Sequence, residues 1–238
     1  MDIGLQQLGK SLLATNSHLA VISNNIANSA TDRFKSDTLS IRSFSDYFIH
    51  EDHISNKENL YEITTHTDFT SGEIYKRNSN DFALDGNGFI AVMYNENLCY
   101  SRGGSFNVDS EGYLVDQHGS YILGTQGNIL VNNANVEISK DGTVTLDGIY
   151  ADTIEIVDFE DYRLVNKTGK DYYVAEQGAN VLQSNTNLLQ GYSEKSNVSI
   201  ISEYLRMIEM SKKFETGQAV IQILDEINGK AVNNIAVF

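Results

Sequence analysis

A single thiol, five histidines and a few acid- and glycine-rich clusters are the residues whose types and spacing could do chemistry. Cys99 is the only cysteine, so no intrachain disulfide can form. A nucleophilic thiolate would need a base and an electropositive setting beside it. The nearest histidine, His118, shows no sign of being that base, and Cys99 reads as a small buried apolar side chain. Asn107, Asp109, Glu111 and Gly112 follow the opening spacing of a calcium loop, but His118 falls where the bidentate glutamate belongs, so a β-turn is expected. Asp85-Gly86-Asn87-Gly88 lacks the lysine and hydroxyl of a phosphate loop and reads as a hairpin turn. His50 and His53 flank Glu51 and Asp52 with no further ligand pair following, which suits a solvated polar loop. The 32 carboxylates offer no pair that spacing selects for acid–base work, and no Gly-x-Ser-x-Gly elbow is present. Tyr100, Arg102 and Phe106 could line a ligand face, but alternating strand side chains with one aromatic face more often point into a core. No catalytic, cofactor-binding or metal-binding residue is expected, and no cofactor.

The elements that hold these residues fall into two kinds. Leu5, Leu8, Leu12, Thr15, Leu19, Ile22 and Ile26 alternate in steps of three and four, the seam of an amphipathic helix. Asn24, Asn25 and Asn28 then end the pattern, since asparagine favours caps and turns. A second helix is expected from about Ser199 to Ala236, with Ser196 and Asn197 as capping residues. Its stripe begins with Ile201, Leu205 and Ile208 and continues in a shifted register through Met210, Phe214, Ile221, Leu224, Ala231 and Ile235. Gly217 and Gly229 each weaken it by about 1 kcal/mol relative to alanine. A helix this long with an apolar stripe needs a partner. Between the helices, 13 of the 18 glycines lie from Gly72 to Gly178. Short β-type runs (Phe89 to Val92, Tyr113 to Val115, Tyr121 to Leu123, Val136 to Ile138, Thr143 to Leu146, Thr153 to Phe159) alternate there with Asp-Gly and Glu-Gly turns. Leu39 to Ile49 reads equally as helix or extended arm, and His50 to Asn59 as a polar loop.

Charge separates the same regions. The chain of 238 residues carries −15, but residues 1–35 sum to +1 and residues 194–238 to −1, so the whole excess lies in residues 36–193. Such a chain is a poor binder of nucleic acid, whose affinity comes from neutralised phosphates. Charge-balanced ends suit close packing against other chains, and an acidic middle suits a surface that repels its own copies. No stretch reaches the roughly 18 apolar residues of a membrane span, and no basic-then-apolar leader opens the chain. The seam alone leaves open whether it packs inside one molecule or against other copies.

Four segments, in order, resemble the flagellar basal-body rod and hook family of axial proteins. Ile22-Ser-Asn-Asn-Ile-Ala-Asn28 with Thr31, Phe34 and Lys35 resembles the family's N-terminal signature. Asp81-Phe-Ala-Leu-Asp-Gly-Asn-Gly-Phe89, and Tyr100-Ser-Arg-Gly-Gly-Ser-Phe106 with Asp109, Gly112, Leu114-Val115 and Leu123-Gly124, resemble its central motifs. Gly191, Glu194, Ser196-Asn197-Val198, Met207-Ile208 and Lys213-Phe-Glu215 resemble its C-terminal ones. Arg33 stands where the family usually has glycine, Ser79 and Asn80 replace its Pro and Leu, and Ser193 replaces a Leu. If the first position needs a positive φ, Arg33 carries a strain that glycine avoids.

The expected fold is α+β: long N- and C-terminal helices pairing as a coiled coil, with a central, mostly antiparallel β-domain. Its expected segments are an N-terminal helix and motif at 1–35, a linker or extended arm at 36–70, a β-rich domain at 71–190 and a C-terminal helix at 191–238. The resemblance implies a structural rod subunit, not an enzyme, sited in the basal body within the cell envelope. Its implied partners are further copies, other rod and hook axial proteins, and the flagellar type III export apparatus, reached without signal cleavage; neither nucleic acid nor membrane insertion is implied. A short chain without a long insertion after residue 45 leans toward the proximal rod, with the distal rod left open. The alternatives are a hook or hook-junction subunit and, more remotely, a secreted β-domain enzyme acting on glycans. The expected assembly interface comprises Leu5, Leu8, Leu12, Leu19, Ile22, Asn25, Ile26, Asn28, Ser196, Asn197, Val198, Ile201, Leu205, Ile208, Phe214, Leu224 and Ile235.

Overall fold

The computed structural model describes residues 2–43, 61–132 and 134–235. These form an α+β protein that divides into two compact units. The polar stretch His50–Asn59, with its two histidines, and the part of Leu39–Ile49 beyond residue 43 lie outside the described residues.

The first unit holds both helices and a two-stranded ribbon. Helix α1, Asp2–Ala27, ends where the asparagines accumulate. Helix α2, Ile200–Ile235, is 36 residues long and runs through both of its glycines. Its start corrects the expected cap. Asn197 and Ser196 precede the helix, while the Ser199 carbonyl accepts from Glu203 N at 3.0 Å and the Ser199 and Ser202 hydroxyls meet at 3.0 Å. The Asn197 side chain is held elsewhere, as described below. The ribbon pairs Asp37–Ser43 with Tyr61–Thr67, so the start of the ambiguous segment is extended.

The second unit, Asn28–Ser36 with Thr67–Asn197, is β-rich, and every strand pair in it whose register is resolved is antiparallel. Its ten-stranded sheet is centred on Phe89–Tyr94, which pairs with Asn97–Ser101, Tyr121–Gly124 and Ile156–Phe159. That strand is buried on both faces. Ile90 and Val92 enter one apolar cluster with Phe82, Leu84, Cys99, Phe106 and Ile122. Phe89 and Ala91 enter a second with Phe69, Tyr100, Phe159 and Tyr173. Successive strand side chains point to opposite faces, so a strand between two cores shows a continuous apolar run. The single aromatic face expected here does not form: Tyr100 lies in Asn97–Ser101 of the large sheet, whereas Phe106 follows Gly103–Ser105, a strand of a different sheet, so the two rings enter different clusters.

Two further expectations change. Thr153–Phe159 is not one strand but the end of Ile149–Thr153 and the whole of Ile156–Phe159, interrupted where Ile154 bridges to Gly124. Asp85–Gly88 is not a hairpin turn. The strand before it, Asp81–Asp85, pairs with Gly103–Ser105 and Asn187–Gln190, whereas the strand after it belongs to the large sheet. Gly86 and Gly88, at φ 128° and 127°, turn the chain from one sheet to the other. Asn107–Gly112 does form a turn, with the Asp109 carboxylate accepting from Glu111 N and Tyr113 N.

Candidate functional site

The motif residues of the second unit converge on one buried charge cluster. Lys35, Arg102 and Glu194, distant in sequence, are all fully or nearly fully buried. Lys35 Nζ lies 2.6 Å from Glu194 Oε1 and donates to the Thr70 carbonyl at 2.7 Å. Arg102 Nη2 lies 3.3 Å from Glu194 Oε2, and the guanidinium donates to the carbonyls of Gly86 at 2.8 Å and Gly88 at 2.6 Å. The glycine corner thus serves as an acceptor for arginine. Gly72 N donates to Glu194 Oε1 at 2.7 Å, and a Cβ there would sit 2.0 Å from the Lys195 carbonyl, so only glycine fits. A buried carboxylate facing two cations is tolerated because backbone groups meet most of the remaining demand. Gly72 N donates to the carboxylate, and the carbonyls of Thr70, Gly86 and Gly88 accept from the cations, while Arg102 Nε has no hydrogen-bond partner among the described residues. Burial pulls the Lys35 ammonium below the ordinary lysine value, Glu194 opposes that fall, and Arg102 adds to it.

The N-terminal motif loop is fixed beside this cluster. Arg33 N donates to the Glu194 carbonyl at 2.8 Å, and Lys167 Nζ to the Lys35 carbonyl at 2.6 Å while lying 4.4 Å from the Phe34 ring centroid. Asn197 accepts from Ser36 N at 2.8 Å through Oδ1 and donates through Nδ2 to the Asp68 carbonyl at 2.8 Å. Arg33 has φ 64°, so the position that glycine usually fills is left-handed here too. Its guanidinium lies 3.8 Å from the Asp171 carboxylate, and its Nε has no hydrogen-bond partner among the described residues.

In the first unit the helices pack antiparallel, with Asn25 beside Glu203 and Leu12 beside Gly217. Asn25 is 1% exposed and Glu203 5%. The Asn25 amide donates to Glu203 Oε2 at 3.4 Å and to the Asp37 carbonyl at 2.8 Å, and accepts from Asp37 N at 3.0 Å. Gly217 is a close-approach site, since a Cβ there would lie 2.6 Å from Leu12 Cδ2. The covered positions of α2 include Glu203, Met207, Met210, Phe214, Gly217, Ile221 and Leu224, in alternating steps of four and three, with Ser211 beside them also partly covered. Ile201, Leu205 and Ile208 are not among them.

The expected interface residues therefore divide. Ile22 and Asn25 are buried; Leu8, Leu12, Leu19, Ile26, Asn28, Ser196, Asn197, Val198, Phe214 and Leu224 are partly buried; Leu5, Ile201, Leu205 and Ile208 are exposed. Ile235 ends α2, and its side chain lies outside the description. Sequence reasoning passed over Glu203, which interrupts an apolar spacing, and read Gly217 only as a weak point. Arg102 carried one available signal: it sits between strand residues and a Gly-Gly pair that bring backbone close. Cys99 lies in the first cluster, where burial raises its thiol pKa. Among the described residues no group of His, Cys, Asp and Glu is arranged to hold a metal, and no helix is long and apolar enough to cross a membrane.

Residues 83–146, which contain Gly86, Gly88 and Arg102, match the model of the flagellar hook protein FlgE/F/G D1 domain. Residues 189–235, which contain Glu194, Asn197, Glu203 and Gly217, match that of the flagellar basal body rod FlgEFG protein C-terminal region. The flagellar basal-body rod protein FlgG of Buchnera aphidicola subsp. Baizongia pistaciae (strain Bp) is 30% identical over 240 residues, covering 88% of this chain and 91% of the relative. The rod protein FlgF of Caulobacter vibrioides is 28% identical, covering 91% of each chain. The flagellar hook-basal body complex protein FlhO of Bacillus subtilis is 29% identical, covering 98% of each. The two family models and these relatives together mark a flagellar axial protein. The chain belongs to the flagellar basal-body rod protein family, which is structural and not enzymatic.

Proposed function

We propose that this protein is a structural subunit of the flagellar basal-body rod that self-assembles through its terminal helices. The helices form an intramolecular coiled coil along the seam from Asn25–Glu203 to Leu12–Gly217, and the outward side of α2 packs on the helices of neighbouring copies and other axial proteins. The observation that carries this reading is the exposed apolar side of α2: Ile201 is 75% exposed, Leu205 64% and Ile208 52%, with Tyr204 beside them and Ile223 and Ile227 further along. An apolar surface of this kind on one helix side marks an interaction site. The function is mechanical, a register-specific tube that transmits torque. Export through the flagellar type III apparatus without signal cleavage, and a place in the proximal or the distal rod, belong to the same reading.

The test is motility of a deletion strain carrying Leu205→Asp, with Leu13→Asp as a second exposed helix position. Loss of motility and of rods, with the β-rich unit still folded by circular dichroism, is expected; a motile Leu205→Asp strain refutes the reading. A second reading, a hook or hook-junction subunit, has support in the match of residues 83–146 to a domain model named for the hook protein. Basal bodies imaged from the deletion strain separate the two, since a missing rod and a rod without a hook are different particles.

A further inference from the structure

Over its first three turns or so, helix α2 is inverted relative to the usual rule. The side covered by α1 carries Glu203, Met207 and Met210, whereas the open side carries Ile201, Tyr204, Leu205 and Ile208. Apolar burial taken alone would favour the opposite rotation, with Ile201, Leu205 and Ile208 against α1. Two features oppose it. Glu203 meets the buried Asn25 amide, which is itself fixed by two bonds to the Asp37 backbone. Gly217 lets Leu12 approach where any side chain would obstruct it. A polar residue at a seam position selects register at a cost in stability.

We propose that Glu203 is a face-selecting residue. By pairing with Asn25 it keeps the less apolar side of α2 on α1 and reserves Ile201, Leu205 and Ile208 for a second copy of this chain. Arg206 completes the arrangement, since its guanidinium lies 2.8 Å from Glu203 Oε1 and neutralises the buried carboxylate from the solvent side. The inference rests on the assembly reading above, but it makes a separate claim about the lone subunit.

The experiment is thiol labelling of dilute full-length protein with a cysteine at either Ile201 or Met207. In the parent, Ile201→Cys labels fast and Met207→Cys slowly. Adding Glu203→Leu is expected to lower the ratio of the two rates by roughly tenfold or more, the effect of a preference lost by about 1.4 kcal/mol. Glu203→Gln, which keeps the hydrogen bond, leaves the ratio in place. Glu203→Met, matched to its neighbours on the seam, repeats the measurement if the leucine variant does not fold. An unchanged ratio in the folded leucine or methionine variant overturns the proposal. A reversed ratio alongside a motile Leu205→Asp strain would uphold face selection while refuting the assembly reading.

Discussion

At the scale of single residues, the Lys35–Glu194–Arg102 cluster makes the sharpest demands. Removing one partner of a buried ion pair costs about 3–5 kcal/mol, whereas replacing all members with apolar residues is often neutral. Glu194→Gln is therefore expected to destabilise the β-rich unit by about that amount in urea unfolding. The triple change Lys35→Met, Arg102→Leu, Glu194→Leu should cost much less than the sum of the single changes. A triple variant as damaged as that sum would mean that the cluster contributes net stability. Lys35 also gives a pH dependence with a definite sign. Its proton is held less tightly in the folded chain than in the unfolded one, so the unfolded state binds more protons between the two pKa values. As pH rises toward the ordinary lysine range, wild type should gain stability relative to Lys35→Met, measured by unfolding at paired pH values. This cluster was only half legible in the sequence. Each residue lies within a recognisable motif, but the motifs describe local turns and strands. Nothing along the chain says that a lysine at 35 and a glutamate at 194 share one buried point.

At the scale of elements, the two glycines of α2 separate two effects. Both cost helix propensity by about 1 kcal/mol relative to alanine. A Cβ at Gly229 would meet nothing within 4 Å, whereas one at Gly217 would strike Leu12. Gly229→Ala should raise the helical unit's stability in thermal circular dichroism, by up to about 1 kcal/mol. Gly217→Ala should lower it or leave it unchanged, because overpacking costs about 1–3 kcal/mol. Equal gains at both sites would show that Leu12 swings aside freely. Both helices were legible because a 3.6-residue period survives any tertiary context that keeps one side covered. The side of α2 that meets α1 was not, since apolar residues lie around much of its circumference and Glu203, the residue that decides, looks like surface. The strands were legible where the pattern alternated or formed a short apolar run between turns. The Asp85–Gly88 corner was misread because Asp-Gly signals a change of direction and not which sheet the chain enters next.

At the scale of the whole molecule, the acidic middle opposes the association that the helices favour. Net charge is −15 and lies wholly within residues 36–193. Screening length falls from about 30 Å at 0.01 M salt to about 8 Å at 0.15 M. Self-association of the purified chain, followed by sedimentation, should therefore strengthen over that range of salt; weakening would mean that ion pairs between copies dominate. The buried cluster has a consequence of another kind, in time rather than space. In a chain that is synthesised or threaded N-terminus first, Lys35 appears early and Arg102 later, but their shared counter-charge is residue 194. Until that glutamate arrives, closing the β-rich unit would bury two cations without an anion. The arrival of Glu194 thus acts as the signal that the β-rich unit may set.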